Sequence, residues 1–266
     1  MQIVYPVLIL TGLAIVFAIT IAICSKKLAV KEDPRVEAVN KLLAGANCGA
    51  CGKAGCGDFA KCLVEGTAKL TDCNATPKEN KEKIASLLGA EGDIGEETIV
   101  VVACSGGNDC LNKYAYQGYG NCGSIEILAG GSKACSVGCI GNRDCSKTCA
   151  YGAIKVRDGV AHVIQSKCVQ CGACIGHCPK GVVKRISAKA VYYVACSSCD
   201  KGKAVRAICK NGCIGCGLCA KFCPSGAITM ENNLPKFDYS KCTACGLCMS
   251  KCPSKTIKCL NDQKYQ

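Results

Sequence analysis

Three cysteine repeats of one spacing carry most of the chemistry in this chain: Cys168-x2-Cys171-x2-Cys174-x3-Cys178-Pro179, Cys213-x2-Cys216-x2-Cys219-x3-Cys223-Pro224 and Cys242-x2-Cys245-x2-Cys248-x3-Cys252-Pro253. Three closely spaced thiolates can each hold one iron of a 4Fe-4S cube. A fourth, set off by three residues and followed by proline, turns toward the neighbouring cube. A separate four-thiol unit, Cys48-x2-Cys51-x4-Cys56-x16-Cys73, lies among Gly45, Gly49, Gly52, Gly55 and Gly57. Zinc also accepts four thiolates at such spacing, but the ferredoxin-type motifs downstream favour an iron-sulfur cluster, and the glycines let backbone N–H groups approach its sulfurs.

A fourth, imperfect motif precedes the three regular ones. Ala134-Cys135-x3-Cys139-Ile140-Gly141 aligns without gaps on Ile208-Cys209-x3-Cys213-Ile214-Gly215, and Cys145 and Cys149 then fall on Cys219 and Cys223. Asn142 stands where Cys216 supplies the middle thiol, and no proline follows Cys149. Three readings follow: Cys135 replaces the missing ligand, the cube has three irons, or the site is empty. The nearness of Cys135 to Cys139 favours replacement.

Because the fourth cysteine serves the other cube, Cys135, Cys139 and Cys145 are expected to pair with Cys178, and Cys168, Cys171 and Cys174 with Cys149. Likewise Cys213, Cys216 and Cys219 pair with Cys252, and Cys242, Cys245 and Cys248 with Cys223. With the Cys48 unit this makes about five 4Fe-4S clusters. Cys104, Cys110 and Cys122 offer a sixth site with a distant fourth ligand. Cys196-Ser197-Ser198-Cys199 has the form of a redox dithiol or half a zinc site. Cys24, Cys62, Cys209 and Cys259 read as structural thiols, and His162 and His177 lie beside the motifs rather than inside them.

The elements that must position these thiols are small. The chain has 266 residues, no tryptophan and 5% aromatic residues, too few for a large ordinary core, while 29 cysteines point to metal as the organiser. The repeated close spacing speaks against a disulfide framework. A formal charge of +13 would ordinarily indicate nucleic acid or an anionic surface. Each cube on four thiolates carries about −2 when oxidised, so the clusters nearly cancel that excess, and no nucleic-acid partner is expected.

Val4 to Cys24 is an apolar run long enough to cross a bilayer as a helix. It lacks the basic lead and small-residue exit of a cleaved signal. Lys26, Lys27, Lys31 and Arg35 follow it, which places everything downstream on the cytoplasmic side by the positive-inside rule. Asp33-Pro34 predicts a helix start for an amphipathic segment ending at Gly45, with Val36, Val39, Leu42 and Leu43 on its apolar side. Thr76-Pro77-Lys78-Glu79 reads as a capping box for a helix to Leu88, stopped by Gly89. Glu91 to Glu97 makes a linker, Thr98 to Ala103 a buried strand, and Asp158-Gly159 a hairpin turn. Gly118-x-Gly120-x2-Gly123 matches a dinucleotide pattern, but the helix after it is too short for a βαβ unit.

The expected fold is α+β. A transmembrane anchor spans 1–25, a small helical four-cysteine unit 26–90, and two tandem ferredoxin-like modules 98–190 and 191–266. This order of modules, with the Cys48, Cys51, Cys56 and Cys73 unit behind a membrane helix, resembles the RnfB family in its cysteine-rich form, a component of the Rnf ion-translocating ferredoxin oxidoreductase. The Cys135-x3-Cys139-x5-Cys145 spacing is similar as well and supports Cys135 as a ligand.

The resemblance implies an electron-transfer subunit with no bond-making site of its own. Soluble ferredoxin would be the donor, and other Rnf membrane subunits would couple electron flow to Na+ or H+ movement. A polyferredoxin subunit of another redox complex, such as a hydrogenase, and a corrinoid-linked iron-sulfur protein are the competing readings. The latter lacks room for a cobalamin-binding barrel. Because the apolar run holds no charged residue, no ion path is expected in this chain.

Overall fold

A computed structural model describes residues 4–27, 33–89 and 94–260. Lys31 of the basic flank and Glu91 of the linker lie outside them. The apolar run forms α1 (Val4–Lys27), whose side chains from Val7 to Ser25 are all exposed in the isolated chain and have a mean hydropathy of 2.8. Thr11 and Thr20 return their hydroxyls to the carbonyls one turn back, Val7 and Val16 respectively, so the two threonines inside the apolar run expose no unpaired hydroxyl.

The four-cysteine unit is built on α2 (Pro34–Leu42), α3 (Cys56–Val64) and α4 (Lys78–Leu88). Asp33 caps α2 by accepting from the Arg35 N–H at 2.9 Å. Val36, Val39, Leu43, Phe59, Leu63 and Ile84 close a buried core between the three helices. The expected capping box at Thr76 does not form: Pro77 occupies the N-cap position, and the carboxylate of Glu97 accepts from the Lys78 N–H at 3.2 Å. The buried Thr76 hydroxyl instead accepts from Ala44 N–H at 3.3 Å and lies 3.2 Å from Cys73 Sγ, so a loop holding a cysteine has claimed the group that would cap the helix. Gly89 ends α4 in the left-handed region, as expected.

The remainder is a chain of short elements wrapped around thiols: β1 (Thr98–Val102), α5 (Cys122–Ile127), α6 (Asp144–Thr148), β2 (Ile154–Arg157), β3 (Val160–Val163), α7 (Ala173–Gly176) and β4 (Val183–Ser187), then β5 (Tyr192–Val194), α8 (Gly202–Ile208), α9 (Leu218–Lys221), β6 (Ile228–Glu231), β7 (Leu234–Phe237), α10 (Leu247–Ser250) and β8 (Ile257–Cys259). The first strand of each group pairs antiparallel with the last, β1 with β4 from Thr98↔Ser187 to Val102↔Val183 and β5 with β8 from Tyr192↔Cys259 to Val194↔Ile257. Between them lie the hairpins β2–β3 and β6–β7. Asp158 and Gly159 turn the first with φ of 49° and 74°, and Asn232 and Asn233 turn the second with φ of 48° and 62°, the positive-φ pair of a type I′ turn. No strand occurs in residues 103–121, ahead of Gly118 to Gly123, so the dinucleotide pattern has no βαβ unit around it.

Two cores follow this arrangement. Val100, Val102, Ile154, Val160, Val182 and Val183 pack with Cys139, Cys145 and Cys174 in one, and Ile228 and Ile257 pack with Cys219 and Cys248 in the other. Cysteines are therefore part of the buried apolar surface itself.

Candidate iron-sulfur sites

In the four-cysteine unit, Cys51, Cys56 and Cys73 pack against the helical core. Asn47 closes the loop by accepting from Cys56 N–H at 2.8 Å, and a Cβ on Gly55 would come within 2.9 Å of the same oxygen. Burial raises the Cys48 thiol, and Cys171 and Cys73 lie near enough to push it the same way. This unit therefore lies against the first ferredoxin-like group. Tyr151 occupies the junction: its hydroxyl donates to Ala46 O at 3.3 Å, and its surroundings include Cys48 and Cys56 on one side and Cys149 and Cys171 on the other.

In the first ferredoxin-like group, Cys174 has Cys168, Cys171 and Cys149 as close neighbours, and burial pushes its thiol up to about 11. Their loop is braced from the sheet. Arg185 on β4 donates to Gln170 O at 2.9 Å and to Cys171 O at 3.1 Å, while Gln170 Oε1 accepts from Val100 N–H at 2.7 Å. A Cβ at Gly172 would collide with the Arg185 guanidinium.

The partner cavity departs from expectation. Cys139, Cys145 and Cys178 line it, and the fourth thiol there is Cys122 where Cys135 was expected. Burial pushes Cys145 up to about 12, with Cys139, Cys122 and Cys178 among its neighbours. The physical reason lies in how α5 docks. Asp144, two residues past Asn142, accepts from the N–H groups of Cys122 at 2.8 Å and Gly123 at 3.2 Å, and Asn121 accepts from Ser124 N–H at 2.6 Å. Lys180, directly after Cys178-Pro179, holds Glu126 at 2.6 Å and donates to Gly130 O and Ser136 O. These contacts bring Cys122 into the cavity that Asn142 also lines, where it supplies the thiol that Asn142 lacks. Cys135 instead lines a different cavity with Cys104, Cys110, Cys196 and Cys209. The expected grouping of Cys104, Cys110 and Cys122 is thereby divided.

In the second group, Cys213, Cys216, Cys219 and Cys252 line one cavity. Cys248 is buried beside Cys242, Cys245 and Cys223, and burial pushes it up to about 11. Cys216 and Cys245 are exposed, so both edges of this group open to solvent. The fourth cysteines accept backbone N–H groups from four residues on, Ala153 to Cys149 at 3.3 Å and Thr256 to Cys252 at 3.4 Å. Hydrogen bonds to sulfur withdraw charge and tune a bound cluster's potential.

Donor chemistry and spacing test what these cavities can hold. Among the described residues, no three His, Cys, Asp or Glu side chains converge closely enough to ligate a single ion. Thiols surrounding a shared cavity suit a polynuclear cluster, whose thiolates sit on separate irons and stand further apart than the ligands of one tetrahedral zinc. Burial raises Cys139, Cys213 and Cys219 to about 11. Burial thus favours the neutral thiol at these three positions, and the positive charge of bound metal favours the thiolate. The residues present fit 4Fe-4S clusters.

Fold and sites thus define an iron-sulfur protein with an apolar N-terminal helix. Family models agree: a 4Fe-4S dicluster domain matches residues 212–256, a 4Fe-4S binding domain 161–184, and an Fe-S cluster unit 43–75. The chain is 39% identical over 238 residues to the RnfB protein of Acetobacterium woodii, part of a Na(+)-translocating ferredoxin:NAD(+) oxidoreductase complex, covering 89% of this chain and 72% of that one. It is 39% identical to the RnfB protein of the ion-translocating oxidoreductase complex of Methanosarcina acetivorans, over 76% and 77% of the two chains. The counterpart in the proton-translocating ferredoxin:NAD(+) oxidoreductase complex of Clostridium ljungdahlii is 34% identical over 87% and 83%. The chain belongs to the RnfB family, whose members are subunits of an ion-translocating oxidoreductase complex in the membrane.

Proposed function

We propose that this chain carries electrons from reduced ferredoxin to the membrane partners of an ion-translocating oxidoreductase, with NAD+ the eventual acceptor as in the named relatives. The observation that carries this reading is the continuity of the cysteine groups. The unit nearest α1 meets the first ferredoxin-like group at Cys48, Tyr151 and Cys171, and that group meets the next through the cavity that Cys104 and Cys196 line together. Bound clusters supply single-electron exchange.

The chain's own residues hold the clusters, shield them and set their surroundings. The ligand sets are Cys48, Cys51, Cys56 and Cys73; Cys122, Cys139, Cys145 and Cys178; Cys149, Cys168, Cys171 and Cys174; Cys213, Cys216, Cys219 and Cys252; and Cys223, Cys242, Cys245 and Cys248. They make about five 4Fe-4S clusters. The four units run 1–25, 26–90, 98–190 and 191–266. The separate cores around Ile84, Val100 and Ile228 support that division. The open edges at Cys216 and Cys245 suit the entry of electrons from a soluble donor.

Helix α1 anchors the chain, and Lys26, Lys27 and Arg35 after it favour the cytoplasmic side for the cluster-bearing units. The helix holds no charged residue between Pro6 and Ser25, so Na+ or H+ moves through partner subunits.

The test is replacement of Cys48 or Cys51 by Ser in the intact complex. Ferredoxin-driven reduction of the membrane partners is lost, while about four irons at most leave this chain. Unchanged ferredoxin-driven reduction would sink the proposal. Stable co-purification with a hydrogenase instead of ion-translocating subunits would favour the polyferredoxin alternative.

A further inference from the structure

The tetrapeptide Val-Ala-Cys-Ser occurs twice, at 102–105 and 194–197, each time leaving the first strand of a ferredoxin-like group. The two copies meet. Ser105 Oγ donates to Ala195 O at 3.1 Å, and Ser197 Oγ returns a bond to Ala103 O at 3.0 Å. Each alanine N–H is held alike, Ala103 by Val182 O at 2.7 Å and Ala195 by Thr256 O at 2.9 Å, and Val182 and Thr256 each stand four residues after a motif's last cysteine, Cys178 and Cys252. The junction between the groups is therefore a local pseudo-twofold axis.

Two more thiols obey the same symmetry. Cys135 and Cys209 each precede the first cysteine of a motif by four residues, and both line the cavity at this axis with Cys104 and Cys196. Gly106 and Gly138 keep the cavity open: a Cβ on Gly106 would stand 3.1 Å from Cys209 Sγ and 3.9 Å from Cys104 Sγ, and one on Gly138 would stand 3.4 Å from Cys135 Sγ. The site touches the neighbouring one directly. Cys139 lines this cavity and the Cys122 cavity, and its N–H donates to Cys104 Sγ at 3.3 Å. A fifth thiol, Cys110, lies against Cys209 across an isolated β-bridge. It has no symmetry mate, because Gly202 stands at the matching position of the second copy.

We propose that Cys104, Cys135, Cys196 and Cys209 ligate a further 4Fe-4S cluster at the pseudo-twofold axis, bridging the two ferredoxin-like groups, with Cys110 a flanking thiol. The inference rests on the reading of the chain as an iron-sulfur electron carrier. Loading is ligand exchange without redox change: as a cube held by a carrier's four thiolates enters, each of this chain's four thiols loses its proton and forms one sulfur–iron bond, while one bond between iron and a carrier thiolate breaks and that thiolate leaves with the proton as a thiol. The two halves of the ligand set come from different groups, so the cluster also fastens those groups together.

The experiment uses the full chain, purified anaerobically, with iron and acid-labile sulfide counted per chain and the mass confirmed by native mass spectrometry. Wild type is expected to hold about 24 irons, the double variant Cys104→Ser/Cys196→Ser about 20, and Cys110→Ser about 24. Retention of about 20 irons by the double variant itself shows that the other sites have folded and loaded. A wild type with about 20 irons, with or without bound zinc, overturns the site. So does a double variant that keeps about 24, or a Cys110→Ser variant that falls to about 20. A wild type nearly devoid of iron would instead fail the electron-carrier reading as a whole.

Discussion

Arg185 makes a prediction whose size follows from its contacts. Its guanidinium donates to the carbonyls of Gln170 and Cys171 in the loop that carries Cys168, Cys171 and Cys174. Replacing it as Arg185→Gln leaves a shorter, uncharged side chain that cannot reach both. Hydrogen bonds from a charged donor contribute about 1.5–3 kcal/mol each. Because Arg185 is only half-buried, the low end applies, about 3 kcal/mol for the pair. At about 1.4 kcal/mol per factor of ten, the loop opens locally about a hundredfold more often.

The assay is anaerobic release of iron to an excess of chelator. The variant is expected to lose about four irons roughly a hundredfold faster than wild type, with the rest leaving at the wild-type rate. Lys184→Ala, an exposed neighbour on the same strand, serves as the control and stays at the wild-type rate. Release from Arg185→Gln within about threefold of wild type, or loss of all iron in one phase, would refute the bracing role.

Three further outcomes are expected. Cys122→Ser disturbs the cluster shared with Cys139, Cys145 and Cys178, giving a three-iron electron paramagnetic resonance signal or loss of about four irons; a wild-type spectrum would return Cys135 to that site. Phe59→Ala empties a position that is 1% exposed in the four-cysteine unit and costs about 3–5 kcal/mol, read as an earlier thermal transition with early loss of about four irons; an unmoved transition would count against the core described. Ile15→Arg in α1 raises insertion cost by about 2.5–3.5 kcal/mol and shifts the chain from the alkali-resistant membrane fraction to the soluble one; undiminished membrane retention would contradict the anchor.

Much of this arrangement was legible because its signals are local. An unbroken apolar run specifies α1, Asp33-Pro34 specifies the start of α2, and Asp158-Gly159 supplies the positive φ pair of the first hairpin. Cys122 was not legible, since it reaches its cavity through tertiary docking by Asp144 and Lys180. Its local signal was an N-cap asparagine followed at once by a glycine-flanked cysteine, the same pattern of a helix N-terminus beside a thiol that places Cys56 at the start of α3. Closeness in sequence misled at Cys135: the turn through Gly138 carries it away from Cys139's other neighbours. The Val-Ala-Cys-Ser repeat was present in the sequence, but only the reciprocal serine bonds give it a meaning. Thr76 shows the same limit, because a hydroxyl with two available roles was taken by the cysteine loop rather than the helix.

Whether this chain is a multi-cluster electron carrier is decided by the content of iron, acid-labile sulfide and zinc in the anaerobically purified full chain. At least about 20 irons per chain, with matching sulfide and negligible zinc, are expected. Several zincs with little iron or sulfide would contradict that reading, and with it the role of the chain in ferredoxin-linked electron transfer.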